Sequence, residues 1–194
     1  MKRKRIVAYM IDTVLITLVI LFLTFILKNN NMQVLEEESQ LLNQSFLSKE
    51  VGFSTYLNHY SSIMYDMDRN QMLIHFLSIL IMTFYFVFLP YKWNGMTLGK
   101  KWMGIRINKE EGVDQVHYFL RAFLINGLGY FILSFLFVLF LPAFSYFLTI
   151  SILGILQIIL VITSLFMLLY SKRGKSLEDT LTGTEVIPID EVKK

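Results

Sequence analysis

The sequence predicts an all-α membrane protein: a four-transmembrane-helix bundle with short amphipathic elements and a stretch suited to a small cytoplasmic β pairing. Three observations carry this. Apolar residues make up 55% of the 194 positions and charged residues 17%, where a soluble domain carries about 25% charged. The charges avoid four long windows and crowd between them. The basic residues lie mostly on one side of those windows. A chain of this length suits a single membrane domain over residues 1–194.

The first window runs over 6–27 with one charge, Asp12. A helix needs about 20 mostly apolar residues to cross the hydrocarbon core. Lys2-Arg3-Lys4-Arg5 in front of it resembles the start of a secretory leader. The apolar run exceeds the roughly 7–15 residues of a leader, and Lys28-Asn29-Asn30-Asn31 follows with no small-residue cleavage pattern. The segment is read as a retained anchor.

The 28–71 loop is extracytoplasmic in this reading. Helical spacing places Leu35, Leu42 and Phe46 on one face, then Phe53, Leu57, Tyr60 and Met64 on another. Two amphipathic helices are expected, lying on the outer leaflet or capping the bundle; a ligand-binding lid is the alternative. The second span covers 72–91, interrupted by His75 and Pro90. The cytoplasmic loop 92–121 opens Trp93-Asn94-Gly95-Met96-Thr97-Leu98-Gly99-Lys100-Lys101-Trp102. It is one residue short between its glycines for a phosphate loop and lacks the hydroxyl after the lysine. It reads instead as a short amphipathic element, with Lys100, Lys101 and Trp102 contacting anionic inner-leaflet lipid. Ile105–Ile107 has strand composition, with a turn over Asn108–Gly112.

The third span is expected over 122–141 and the fourth over 144–170, joined tightly at Pro142 and Ala143. Gly127, Gly129 and Gly154 read as close-packing positions. The tail, 171–194, carries Ser176-Leu177-Glu178-Asp179, a weak capping box that predicts one helical turn closed by Gly183. Thr184–Ile187 can pair with the Ile105–Ile107 strand.

Orientation follows from the basic residues. Fifteen of the eighteen Lys and Arg fall in the amino terminus, the 92–121 loop and the tail, whereas the 28–71 loop holds three against six acids. Both termini are therefore expected in the cytoplasm, with the protein multi-pass in the plasma membrane.

Three separated segments share one pattern. Arg5-Ile6-Val7-Ala8 with Ile11-Asp12, Thr97-Leu98-Gly99-Lys100 continuing to Gly104-Ile105-Arg106-Ile107, and Asp179 with Gly183-Thr184 and Val186 together resemble the RDD family of small bacterial membrane proteins. The Arg and two Asp of the family name correspond here to Arg5, Asp12 and Asp179. Glu178 stands where members often carry His, and the outer loop is long for the family. The resemblance implies one of two roles: monovalent cation/proton antiport, proposed for some members, or an adaptor for membrane protein complexes.

Asp12 is the residue that most needs explaining. It lies about 9 Å into the first span at 1.5 Å per residue, and a central aspartate costs about 2.5–3.5 kcal/mol on insertion scales. It is expected to face the bundle with a partner. Arg5, two turns earlier, can reach toward it or toward an acid in the tail. Asn126 lies at similar depth on the third span, so the sequence predicts an inner polar cluster of Arg5, Asp12, Arg121, Asn126 and Asp179. Of these, Asp12, Arg5, Asn126 and Asp179 are the ion- or proton-binding candidates. His75 and Gln157, with Arg121, extend a secondary polar path. No cysteine, Ser/His/Asp arrangement, zinc spacing or paired glutamates occur, so neither catalysis, a metal nor a cofactor is expected. Every basic cluster abuts a span, which leaves nothing for nucleic acid. Expected partners are the bilayer, its anionic cytoplasmic lipids, and a second membrane protein or another copy of the chain.

Overall fold

A computed structural model of the chain describes residues 1–27, 30–108, 112–172 and 174–189. Helix α1 (Lys2–Ile26) takes in the basic cluster as well as the apolar run, so it starts four residues before the expected span. α2 (Asn30–Leu47) and α3 (Phe53–Asn70) form a helical hairpin where the amphipathic helices were expected. The second span is one continuous path, Met72–Lys92. It is built from α4 (Met72–Thr83), a π-helical turn (Phe84–Phe88) and α5 (Leu89–Lys92). The wider turn brings three successive residues, Tyr85, Phe86 and Val87, into the core, where a regular α-helix would fan them apart.

The short α6 (Leu98–Met103) starts at the N-cap Thr97 and ends on a left-handed Gly104. It leads into β1 (Ile105–Asn108). The β pairing expected from composition is present: β1 runs antiparallel to β2 (Glu185–Pro188), with Arg106 opposite Ile187 and Asn108 opposite Glu185. Ile105 and Ile107 point inward.

The third span departs from expectation. In place of one helix over 122–141, α7 (Gln115–Ile125) and α8 (Leu128–Phe140) meet at a 75° bend. The cause is local. Gly127 adopts φ +81°, a left-handed conformation that interrupts the ladder. Apolar residues on both sides hide this break from a hydropathy reading, and Gly127 is therefore a hinge of the backbone, not a packing position. Gly129 does pack closely, since a Cβ there would stand 2.6 Å from the Phe123 carbonyl. α9 (Ala143–Tyr170) is the fourth span, and α10 (Leu177–Thr182) closes on Gly183 as the capping box predicts.

Among the described residues three helices are thus long and apolar enough to cross a membrane, four when the bent pair counts as one span. The core packs Ile16 of α1 against Met82, Tyr85, Phe86 and Val87, with Ile107, Tyr118, Ala122 and Leu128. α3 lies against α9 and the α4–α8 pair. It thereby caps the bundle, with Tyr60 edge-on to Phe147 and a ring stack through Tyr56 to Phe46.

Candidate functional site: a polar cluster at the terminal end of the bundle

Asp12 is 2% exposed. Its carboxylate accepts three hydrogen bonds, none from arginine. Tyr85 Oη donates to Oδ1 at 2.5 Å, Thr97 Oγ1 to Oδ2 at 2.5 Å, and the Gly99 amide to Oδ1 at 2.8 Å. The amide is one of the N–H groups that the start of a helix leaves without an internal partner, so α1 completes the first turn of α6. The approach is tight. A Cβ on Gly99 would lie 2.4 Å from the Ala8 carbonyl and 2.8 Å from Asp12 Oδ1. Only glycine lets the two helices come this close.

Arg5 turns away from Asp12 to the tail. It donates to the Gly174 carbonyl at 2.6 Å, to Ser176 Oγ at 2.8 Å and to Asp179 Oδ2 at 2.5 Å. Arg121 of α7 holds the other oxygen, Oδ1, at 2.6 Å and also donates to Thr184 Oγ1 at 2.5 Å. The Ser176 amide adds a bond to Asp179 Oδ2 at 3.1 Å. Burial alone would raise the Asp179 pKa, but the charges of Arg121 and Arg5 and the Ser176 amide outweigh it and hold the carboxyl below its ordinary value. Glu178 stands by as a second anion, 3.6 Å from Arg121 and 4.0 Å from Arg5, while Ser164 donates to its other oxygen. Lys2 Nζ caps the last turn of α9 through the Leu169 and Ser171 carbonyls.

Asn126 lies at the α7–α8 bend and, with Asp12, Lys100 and Arg121, lines a cavity of about 70 Å³. Lys100 does not face outward with Lys101 and Trp102. It is half-buried, its ammonium 3.4 Å from Thr97 Oγ1. Burial lowers its pKa, opposed by the charge of Asp12 and reinforced by Arg121, to about 8. Trp102 is 66% exposed, and Lys101 sits 4.8 Å above the ring of Trp93.

The secondary path is not continuous. Gln157 donates to the Leu124 and Ile125 carbonyls at 3.3 and 3.2 Å, tying α9 to the end of α7 at the bend. His75 lies 3.7 Å from Asp68, which accepts from Tyr146 at 2.6 Å. Among the described residues no hydrogen bond links this His75–Asp68–Tyr146 group to Gln157 or Asp12.

A family model described as the RDD family matches residues 3–183. The chain belongs to the RDD family. No curated protein and no solved structure matches it. In this RDD protein the named Arg and two Asp are divided between two arrangements: Asp12 anchors the 93–103 loop, and Arg5 with Asp179 anchors the tail. Sequence reasoning missed Tyr85, Thr97 and Gly99 as the partners of Asp12. Depth offered a signal for Tyr85, which lies as far from the basic end of its span as Asp12 lies from its own.

Proposed function

We propose that this RDD protein is a membrane-embedded adaptor, whose polar cluster locks the loop and tail onto the bundle so that a fixed surface meets a partner membrane protein. One observation carries the reading: each oxygen of the three carboxylates in the cluster is already engaged by the chain. Asp12 has two hydroxyls and an amide, Asp179 has two guanidiniums and an amide, and Glu178 has Ser164 on one oxygen and the two arginines near the other. A cation would have to displace a charge-assisted hydrogen bond or, at Glu178 Oε1, compete with the two arginines that stand 3.6 and 4.0 Å away. The α2–α3 hairpin takes no part in the cluster and stands as the surface for recognition. Photocrosslinkers placed at Val34 and Leu41, both exposed, should recover one dominant membrane partner from native membranes. An unselective spread of neighbours counts against the adaptor.

A second reading, monovalent cation transport coupled to protons, is favoured by the cavity beside Asp12. Its roughly 70 Å³ holds about two waters at ~30 Å³ each. Lys100, with its pKa near 8, supplies a group that titrates close to neutrality. Liposomes carrying the protein and a pH-sensitive dye decide between the two. Cation-dependent proton flux that disappears with Asp12→Asn overturns the adaptor reading; its absence in the intact protein removes the transport reading.

A further inference from the structure

A second polar recess, separate from the Asp12 and Asp179 arrangements, lies at the same end of the bundle, where the second span gives way to the β pair. It is an open cavity of about 490 Å³ lined by Tyr91, Asn94, Arg106, Asn108, Val113 and Tyr118. That volume falls in the range of small-molecule sites, roughly 300–1,000 Å³. Among the described residues its polar lining consists of phenol hydroxyls, side-chain amides and one guanidinium, with no carboxylate.

Arg106 is the informative member. Its Nε is buried and has no hydrogen-bond partner, and among the described residues no ion pair involves it. Arg5 and Arg121, by contrast, are both consumed by Asp179. Across the strand pair Arg106 faces Ile187, and the acid Glu185 stands opposite Asn108. A buried guanidinium N–H left without an acceptor costs more than an ordinary unmade bond, and an anion entering the recess supplies that acceptor. Guanidinium geometry matches a tetrahedral oxyanion better than a point charge does. Asn94, at φ +49°, and the two tyrosines offer further donors around the same space. Tyr91 lies in the last turn of the second candidate span, Met72–Lys92, which sets the recess beside the end of that span.

We propose that this recess binds a phosphate oxyanion through Arg106, with Asn94 and Tyr118 as supporting donors. The phosphate is either the headgroup of an anionic phospholipid or a free phosphate species. The level of Tyr91 and the exposed Lys101 and Trp102 on the neighbouring helix place the lipid source first.

The test is native mass spectrometry of the full chain in neutral detergent, titrated separately with short-chain phosphatidylglycerol, short-chain phosphatidylcholine and inorganic phosphate. Phosphatidylglycerol should bind, and Arg106→Gln should weaken it roughly tenfold or more. Arg106→Lys should recover part of the loss, because the charge returns without the planar fork. Asn94→Gly keeps the left-handed backbone, removes one amide and should weaken binding several-fold; it carries the test should Arg106→Gln lower the melting temperature. Saturable binding of inorganic phosphate that displaces the lipid assigns the site to free phosphate. Equal losses in Arg106→Gln and Lys101→Gln, or unchanged binding in both Arg106→Gln and Asn94→Gly, overturn the proposal.

Discussion

Replacing Asp12 tests the reading of the anchored loop most directly. Asp12→Ala leaves Tyr85 Oη, Thr97 Oγ1 and the Gly99 amide without their acceptor in a buried site. Each abandoned donor costs about 1–3 kcal/mol, and relief from burying the carboxylate returns about 2–3 kcal/mol. The net loss is about 4 kcal/mol. Asp12→Asn keeps one oxygen for Tyr85 and Gly99 and turns its amide toward Thr97, whose hydroxyl can accept. It loses mainly the charge assistance, which about doubles the strength of such bonds, for a net of about 1–2 kcal/mol. At about 2–4 °C per kcal/mol for a chain of this size, the melting temperature falls by about 8–16 °C for alanine and about 2–8 °C for asparagine. The protein's two tryptophans, Trp93 and Trp102, both flank the anchored segment, so intrinsic fluorescence reports on the loop in particular. The fluorescence transition should move before the helical signal in circular dichroism does. An alanine variant whose tryptophan transition coincides with that of the intact protein refutes the anchor.

Arg121→Gln removes one of the two guanidiniums on Asp179 and leaves a buried charge half-compensated, at about 3–5 kcal/mol; tryptic cleavage at Lys175 should accelerate about a hundredfold or more, and an unchanged rate contradicts the clamp. The depressed pKa of Asp179 sets an acid limit. Its contribution is complete above the ordinary value of 3.8 and disappears as pH falls through the lower folded value, so protection of the tail from pepsin should persist at pH 3.8 and fail only below it. Gly127→Ala meets open space, the nearest atom being Met82 Cε at 3.9 Å, and therefore costs only the left-handed backbone, about 1–2 kcal/mol; a melting temperature that does not fall speaks against the bend.

Hydropathy located the three helices long and apolar enough to cross a membrane among the described residues, because a run of about 20 apolar residues has few alternatives in a chain this size. It missed the bend at Asn126 and Gly127, where an Asn-Gly pair, ordinarily a turn signal, sits within apolar sequence that reads as continuous. Burial cost pointed to Asp12 and two-turn reach to Arg5, while Asp179 was marked by the family resemblance, the capping pattern giving only its helical turn. The partners of Asp12 were less legible. Thr97 and Gly99 do their work through a helix start whose position in space depends on Ala8 allowing backbone contact. Tyr85 depends on the π-turn that rotates it inward, and no local pattern in Phe84–Phe88 announces that turn. Lys100 was read by its neighbours, as one of a basic pair, yet adjacent side chains on a helix point about 100° apart, and Lys100 takes the direction toward Thr97.

The clamp also joins distant parts of the chain: Arg5 and Asp179 are bonded across a separation of 174 residues, and Asp12 waits 85 residues for Thr97. During synthesis the first helix therefore enters the bilayer with its aspartate and arginine unanswered. The aspartate is answered once Thr97 has been made and the arginine only once Asp179 has been made. A chain halted before the tail would therefore hold Arg5 and Arg121 without the carboxylate that joins them.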